Sequence, residues 1–228
     1  MKKILVVQSR ITEARIERER ENYRRSIGNR AGVDFLSAVD SKLAWETPES
    51  LLENFDGIIF GGSSDFDFHG GRPLEDPMRL MSTIILSRAK ALVSCAEEHR
   101  IPVLGICFGH QLIAEMHNGH VSNDGEQSKR GAFQVSLTEA GEADALFADM
   151  PKKFFAQYEH KDSATKLPHG ATVLASGAAC RFSALKYGEN IYSLQFHPEI
   201  LRVIEGSESY DSPEASRLIP LWIERIVT

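Results

Sequence analysis

Short apolar runs, each followed by a longer amphipathic stretch, fill the first half of the chain and restrict the fold more than any other feature. The runs are rich in Val, Ile and Leu, as expected for strands buried on both faces. The predicted strands are Ile4–Val7, Val33–Ala38, Gly57–Phe60 and Pro102–Ile106, and the predicted helices are Pro77–His99 and Phe108–Asn118. This alternation predicts an α/β fold with a mostly parallel, twisted sheet and helices on both faces.

The second half has a different pattern. Apolar segments continue, but no long helix separates most of them, which favours antiparallel pairing of additional strands. The predicted strands are Phe133–Leu137, Phe154–Gln157, Thr172–Ala175, Phe182–Lys186 and Ile191–Phe196, and Pro213–Val227 is predicted as a closing helix. No repeat, low-complexity tract or linker interrupts the chain, so residues 1–228 are predicted to form a single domain.

Charge and cysteine usage exclude several classes of protein. The net charge of −6 argues against the broad basic face of a nucleic-acid-binding protein. Three widely spaced cysteines, Cys95, Cys107 and Cys180, without a CxxC pair favour neither a disulfide framework nor a zinc site. No apolar run reaches the length of a membrane span. We therefore expect a cytoplasmic protein with no metal, nucleic-acid or membrane partner.

The segment Val103–Gln111 carries the strongest chemical signal. A buried strand runs directly into Cys107, glycines stand at 105 and 109, and a helix follows at once. Such a turn is too tight for side chains at the flanking positions and presents the middle residue as a nucleophile. The helix N-terminus would stabilise a thiolate, and the Phe108 amide could bind an oxyanion. A buried structural cysteine is the alternative interpretation, and it is the one assigned to Cys95 and Cys180.

A candidate base lies at the end of a later apolar strand. His197 is followed by Pro198, which keeps the backbone extended, and Glu199 lies two residues on. Side chains two apart in extended backbone share a face, so Glu199 can orient the imidazole. A chance His-Pro-Glu sequence is the alternative. The presence of an elbow cysteine in the same chain favours a Cys-His-Glu triad. His110, inside the elbow helix, is interpreted as a residue that packs in the core or supports an active-site side chain.

These segments resemble a known family. Gly105–Gln111 is similar to the G-x-C-x-G-x-Q signature of class I (triad-type) glutamine amidotransferases, and Phe196–Glu199 is similar to that family's second signature. Gly61 and Gly62 resemble its glycine-rich oxyanion strand. The resemblance covers nearly the whole chain and is strongest to the amidotransferase part of GMP synthases and their free-standing relatives. It implies a flavodoxin-like amidotransferase fold.

The resemblance also implies roles for individual residues and no cofactor. Those residues are the nucleophile Cys107, the base His197, the orienting carboxylate Glu199, the oxyanion-hole amides of Gly62 and Phe108, and the substrate contacts Gln111 and His160.

The sequence departs from the family pattern at three places. Lys161 stands where a His-Gly-Asp strand end would have glycine, between the matching His160 and Asp162. The run Ser63–Gly71 follows Gly62 in place of the usual Pro-Gly. As a third departure, we expect no synthase domain after the closing helix. The resemblance therefore implies that the possible partner of this chain is a separate synthase subunit.

Three functions are compatible with these residues. The first is a glutaminase-type amidotransferase that forms a γ-glutamyl thioester on Cys107 and releases ammonia. The second is a γ-glutamyl peptidase or hydrolase, for which the Ser63–Gly71 loop would provide a roomier pocket. The third is a non-catalytic regulatory or binding protein on the same scaffold, which the complete triad disfavours.

The segment Thr12–Arg30 is dense in Glu and Arg, with Ile16, Tyr23 and Ile27 as a thin apolar stripe. This pattern predicts a solvated surface helix. The alternative is an arm that covers the active site or docks a partner.

Overall fold

A nine-stranded sheet forms the centre of the computed structural model, which describes residues 1–178, 180–201 and 211–227. The strands of the described residues are β1 (Lys3–Gln8), β2 (Gly32–Ser37), β3 (Gly57–Phe60), β4 (Val103–Ile106), β5 (His120–Asn123), β6 (Lys129–Leu137), β7 (Lys153–His160), β8 (Asp162–Lys166), β9 (Ala171–Gly177), β10 (Cys180–Tyr187) and β11 (Ile191–Leu194). The sheet order is β2-β1-β3-β4-β11-β10-β9-β6-β7, and β5 and β8 form a separate ribbon.

The sheet has a parallel half and an antiparallel half. Strands β2, β1, β3, β4 and β11 are parallel to one another, whereas β10 pairs antiparallel with β11 and the remaining strands β9, β6 and β7 continue the antiparallel pairing. The first half needs helical crossovers to keep its strands parallel, and the second half is joined by short connections. This arrangement confirms the predicted α/β fold with a parallel sheet and additional antiparallel strands.

Helices cover both faces of the sheet. They are α1 (Glu13–Ile27), α2 (Pro48–Leu52), α3 (Pro77–Glu98), α4 (Phe108–Met116), α5 (Glu139–Ala143) and α6 (Leu218–Arg225), the last preceded by a 3-10 turn at Ala215–Arg217. In α3, Pro77 opens the helix and the Asp76 carboxylate caps it by accepting from the Met78 amide at 2.8 Å. No helix among the described residues is both long enough and apolar enough to span a membrane.

Alternating side chains of β1 place one hydrophobic core on each face of the sheet. Ile4 and Val6 belong to a core that includes Tyr23 of α1 and Trp222 of α6. Leu5 and its neighbours on the other face pack with the residues of α3 and α4. Because strand side chains alternate between faces, one apolar run supplies both cores. Burial on both faces fixes the positions of the strand ends from which the site is built.

Several predicted boundaries are wrong by a few residues. Strand β11 ends at Leu194 rather than Phe196, because the chain turns there to bring His197 to the sheet edge. Strand β6 begins at Lys129 rather than Phe133, since its polar first residues pair with β7. The predicted closing helix is shorter, with α6 beginning only at Leu218. The ribbon of β5 and β8 was not predicted, because both strands are short and largely polar.

Helix α1 is only partly the solvated helix predicted for Thr12–Arg30. Tyr23 and Ile27 are buried, as the stripe predicted, but Ile16 is half-exposed and Glu19 is buried in its place. A buried glutamate cannot be found from apolar periodicity, because its burial depends on partners elsewhere in the fold.

Candidate functional site

The turn between β4 and α4 has the geometry of a nucleophile elbow. Cys107 has φ of 53° and ψ of −100°, a left-handed backbone that non-glycine residues rarely adopt. Its amide donates to the Leu194 carbonyl at 2.8 Å, which fixes the turn against β11. A Cβ at Gly105 would lie 2.6 Å from the Gly109 carbonyl oxygen, and a Cβ at Gly109 would lie 2.2 Å from that of Phe60. Both predicted glycine positions are therefore required by close backbone approach.

A buried histidine-carboxylate pair lies beside the elbow. Strand β11 is parallel to β4, so the chain segments that follow both strands meet at one edge of the sheet. His197 Nδ1 lies 2.6 Å from Glu199 Oε1, and the His197 amide donates to the Gln157 carbonyl at 2.8 Å. Burial lowers the pKa of His197, but the charges of Glu199 and Cys107 raise it more, leaving that pKa well above its ordinary value. The pair therefore favours a protonated imidazole next to the cysteine.

The predicted oxyanion-hole residues border the same space. A Cβ at Gly62 would lie 2.8 Å from His197 Cε1 and 3.5 Å from Cys107 Cβ. Phe108 is the first residue of α4, where amides lack partners within the helix. Neither amide donates a backbone hydrogen bond to another described residue. Two amide donors next to one cysteine could bind an anionic oxygen.

A pocket of about 360 Å³ opens above the cysteine. Its wall includes the two predicted substrate contacts, Gln111 and His160. Gln111 Nε2 donates to the Asp162 carbonyl at 2.6 Å and lies 3.3 Å from Gln195 Oε1, so the protein fixes its orientation. Burial lowers the pKa of His160 to about 4, so this imidazole is uncharged at neutral pH. Of the predicted site residues, Cys107, Gln111 and His160 line this pocket, whereas His197 and Glu199 line a neighbouring cleft.

Comparisons with known proteins agree with this geometry. Residues 42–210 match the family model described as glutamine amidotransferase class-I. The chain belongs to the class I glutamine amidotransferases. Two similar proteins are each named as a subunit of glutamine-hydrolyzing GMP synthase. The one from Methanocaldococcus jannaschii is 33% identical over 54% of this chain and 64% of its own length. The one from Thermococcus kodakarensis is 30% identical over 68% of this chain and 71% of its own length.

Solved structures show the same fold as this amidotransferase. A putative GMP synthase subunit from Thermoplasma acidophilum superposes with a TM-score of 0.70 at 20% identity, covering 98% of this chain and 93% of that one. A glutamine amidotransferase from Thermotoga maritima gives a TM-score of 0.61 at 19% identity, covering 98% of this chain and 81% of that one.

In this amidotransferase, the loop from Ser63 to Gly71 is held against the site by contacts that the sequence did not reveal. Both Asp162 carboxylate oxygens accept from loop amides, those of His69 at 2.6 Å and Gly70 at 2.7 Å. The Phe68 ring stacks on Phe108 with centroids 5.4 Å apart. Asp162, which matches the last residue of the family's His-Gly-Asp strand end, lines the pocket above Cys107. Because both of its carboxylate oxygens accept from loop amides, its side chain also anchors the loop.

Cys95, Cys180 and His110 line none of the described pockets. Burial raises the pKa of Cys180 to about 12 and raises that of Cys95, which keeps both thiols protonated. His110 is fully buried, its Nδ1 lies 2.8 Å from Ser193 Oγ, and burial lowers its pKa to about 3. These environments suit packing residues, as predicted for the two cysteines and as one of the two roles predicted for His110. Cys107 differs because it borders an open pocket, where its thiol lies 3.6 Å from the Glu159 carbonyl.

The tight elbow predicts that Gly109→Ala destabilises the protein. The new Cβ would lie 2.2 Å from the Phe60 carbonyl oxygen, so β3 or α4 must shift. Overpacking of this kind costs about 1–3 kcal/mol. Urea unfolding should show that loss in the free energy of unfolding. Gly125→Ala is the matched control, because a Cβ there would meet no atom within 4 Å. Equal stability of the two variants would contradict the close packing described for the elbow.

Proposed function

We propose that this protein hydrolyses the γ-carboxamide of glutamine, with Cys107 as nucleophile, His197 as general base and acid, and Glu199 as the residue that orients His197. The observation that carries the proposal is the elbow cysteine beside a buried His197–Glu199 pair with a 2.6 Å contact. The combination of a strained cysteine and a raised imidazole pKa suits a nucleophile and not a packing residue.

The proposed reaction begins with attack of the Cys107 sulfur on the γ-carbonyl carbon, its proton residing on His197. The carbonyl oxygen becomes an oxyanion and receives hydrogen bonds from the Gly62 and Phe108 amides. His197 then gives its proton to the departing nitrogen and the C–N bond breaks. Ammonia departs, and a γ-glutamyl thioester remains on Cys107. Water, deprotonated by His197, attacks the thioester and releases glutamate, and the proton returns to the sulfur.

The pocket above Cys107 would hold the glutamyl part of the substrate. Its volume of about 360 Å³ exceeds what one amino acid needs, and the orientation of Gln111 is already fixed by two contacts. Because His160 is neutral at neutral pH, it would serve as a hydrogen-bonding group and not as a cation for the α-carboxylate. Lys129, Arg130 and Lys161 at the pocket wall are the cations available for that carboxylate.

Ammonia from this site would be used by a separate synthase. The relatives from Methanocaldococcus and Thermococcus are named as one subunit of GMP synthase, which supports a partner for this chain.

The decisive experiment is ammonia and glutamate release from glutamine by the purified protein. Stoichiometric release would support the proposal. Failure of glutamine to react, with Cys107 also inert to a glutamine-like alkylating analogue, would overturn it.

A second candidate function, cleavage of γ-glutamyl peptides, is favoured by an arginine-lined cleft. This cleft of about 660 Å³ borders the triad and shares Ser63, Ser64, Arg130 and Glu159 with the smaller pocket. Its lining includes Arg10, Arg15, Arg18, Arg25, Arg130, His197 and Glu199. Among the described residues, Arg18 and Arg25 have no carboxylate partner, and they lie seven residues apart on one face of α1. Ammonia, the leaving group of glutamine, would make no ion pair with these arginines. An amine leaving group that carries a carboxylate could bind them.

Substitution of these two arginines tests the second candidate. We expect Arg18→Gln combined with Arg25→Gln to lower kcat/KM for γ-glutamylglutamate about tenfold. Two exposed ion pairs of up to about 1 kcal/mol each give an effect of this size. Turnover of glutamine should stay unchanged.

Arg24→Gln is the control for each single substitution, because it removes one positive charge of the same helix from a side chain that stacks on Phe35. Steady-state assays with γ-glutamylglutamate and neutral γ-glutamyl methylamide provide the comparison. No preference of the wild-type protein for the acidic substrate would rule this candidate out.

A further inference from the structure

An ion pair outside the matched family region lines the same cleft as His197 and Glu199. Arg10 lies between β1 and α1, and Glu19 lies in α1, whereas the family match begins at residue 42. Arg10 Nε is 3.0 Å from Glu19 Oε1, with the two side chains 13% and 3% exposed. Gln8 Nε2 donates to the second Glu19 oxygen at 2.8 Å. The Glu19 carboxylate is therefore held on both sides and cannot rotate freely.

Glu19 packs directly against the strand end that leads into the predicted oxyanion hole. A Cβ at Gly61 would lie 2.9 Å from Glu19 Oε1 and 3.4 Å from the Tyr23 hydroxyl oxygen. On its other side, the Gly61 carbonyl accepts from the Gly109 amide at 3.2 Å. Gly61 thus lies between the carboxylate of α1 and the elbow helix. A displacement of Glu19 would move the peptide that joins Gly61 to Gly62.

The same arginine also holds the loop that follows Gly62. Arg10 Nη1 donates to Ser64 Oγ at 3.0 Å. The next residue along, Asp65, accepts from the Ile11 amide at 3.0 Å and forms an ion pair with Arg15. Gly62 is therefore fixed from both sides, by Glu19 behind Gly61 and by the Arg10-to-Arg15 segment against Ser64 and Asp65.

Stability alone does not account for a buried ion pair at this place. Burial raises the pKa of Glu19, and the nearby Glu199 raises it too, while Arg10 and Gln8 lower it. Replacement of a buried pair by apolar residues is often neutral or stabilising, and in some proteins such a pair serves to fix geometry. The backbone next to this pair is that of Gly61, which precedes Gly62.

We propose that Arg10 and Glu19 are positioning residues that hold the Gly62 amide where the oxyanion forms. They do not touch the reacting atoms, and they act through Gly61 and Ser64. The proposal rests on the proposed cysteine chemistry, since an oxyanion hole matters only if an oxyanion forms. It gives helix α1 a part in catalysis, in line with the alternative interpretation of Thr12–Arg30 as an arm at the active site.

Glu19→Gln and Arg10→Gln test this proposal with two readouts. Hydrolysis of γ-glutamyl p-nitroanilide, an activated γ-amide, reports the step that needs the oxyanion hole. Alkylation of Cys107 by iodoacetamide across pH reports the triad without an oxyanion. We expect kcat to fall about 10- to 100-fold, somewhat less than direct removal of an oxyanion donor, with KM nearly unchanged. The alkylation profile should stay that of the wild-type protein, and Arg10→Lys should restore part of kcat.

Two further variants are Ser64→Ala, a second test of the proposal, and Arg30→Gln, its control. Ser64→Ala removes the hydroxyl that accepts from Arg10 but leaves the buried pair intact, and it should lower kcat a fewfold even if loss of that pair unfolds the protein. Arg30→Gln, whose exposed side chain pairs with Glu224 at 2.7 Å, should leave kcat unchanged. Full activity in folded Glu19→Gln, or a parallel loss of alkylation and turnover, would overturn the positioning role. A wild-type protein that cleaves neither the anilide nor glutamine would overturn the proposed chemistry together with it.

Discussion

The Cys107→Ala variant is expected to lose glutamine hydrolysis almost completely. Without the sulfur no thioester can form, and the remaining groups could only assist direct attack by water. Removal of the nucleophile from a triad enzyme lowers kcat by about 10⁴-fold or more. Ammonia release measured by a coupled assay, at enzyme concentrations high enough to detect a residual rate, would provide the comparison with the wild-type protein.

The fold should tolerate this substitution. Alanine keeps the Cβ, so the strained backbone with φ of 53° is no more strained than in the wild-type protein. Cys180→Ala is the matched control, because it deletes a sulfur that is also buried and free but borders no described pocket. It should lower thermal stability and leave kcat unchanged. Equal activity of the Cys107→Ala protein and the wild-type protein would show that Cys107 is not the nucleophile.

The features that sequence reasoning predicted are those encoded by neighbouring residues. The elbow needs glycines two residues on either side of Cys107, and a carboxylate two residues after His197 shares its face, so both patterns are visible in a few letters. The parallel strands are similarly visible as continuous apolar runs. The backbone geometry at Cys107 and the 2.6 Å contact between His197 and Glu199 agree with those local patterns.

The features that sequence reasoning missed depend on residues far apart in the chain. Asp162 anchors amides 92 and 93 residues away, and Arg10 reaches Ser64 across 54 residues. Neither pairing leaves a local pattern, because the register of the sheet and the path of each loop decide which side chains meet. Glu19 was missed for the related reason that a single acidic residue in a charged helix does not reveal its burial. The catalytic motif was therefore predictable, but the long-range contacts of Asp162, Arg10 and Glu19 around it were not.

The Glu199→Gln variant is expected to lose about 10²- to 10⁴-fold in kcat, by analogy with triads whose orienting carboxylate is replaced by its amide. Glu199 is the largest of the influences that raise the pKa of His197 against the lowering effect of burial. Its replacement should therefore lower the imidazole pKa. The proton needed by the departing ammonia would then be lost at a lower pH than in the wild-type protein. NMR titration of the His197 ring should show a lower midpoint, while kcat should fall at neutral pH.

The same substitution makes a stability prediction whose sign follows from linkage. His197 has a folded-state pKa above its unfolded value near 6.5, so its protonation stabilises the fold fully below that pH. This contribution disappears as pH rises through the folded pKa. Glu199→Gln should weaken it, so that the variant and the wild-type protein differ most in acid-to-neutral solution and converge at high pH. Urea unfolding at a series of pH values would measure the difference. A constant difference across pH would mean that Glu199 supports the fold by packing, and that its charge does not hold the proton on His197.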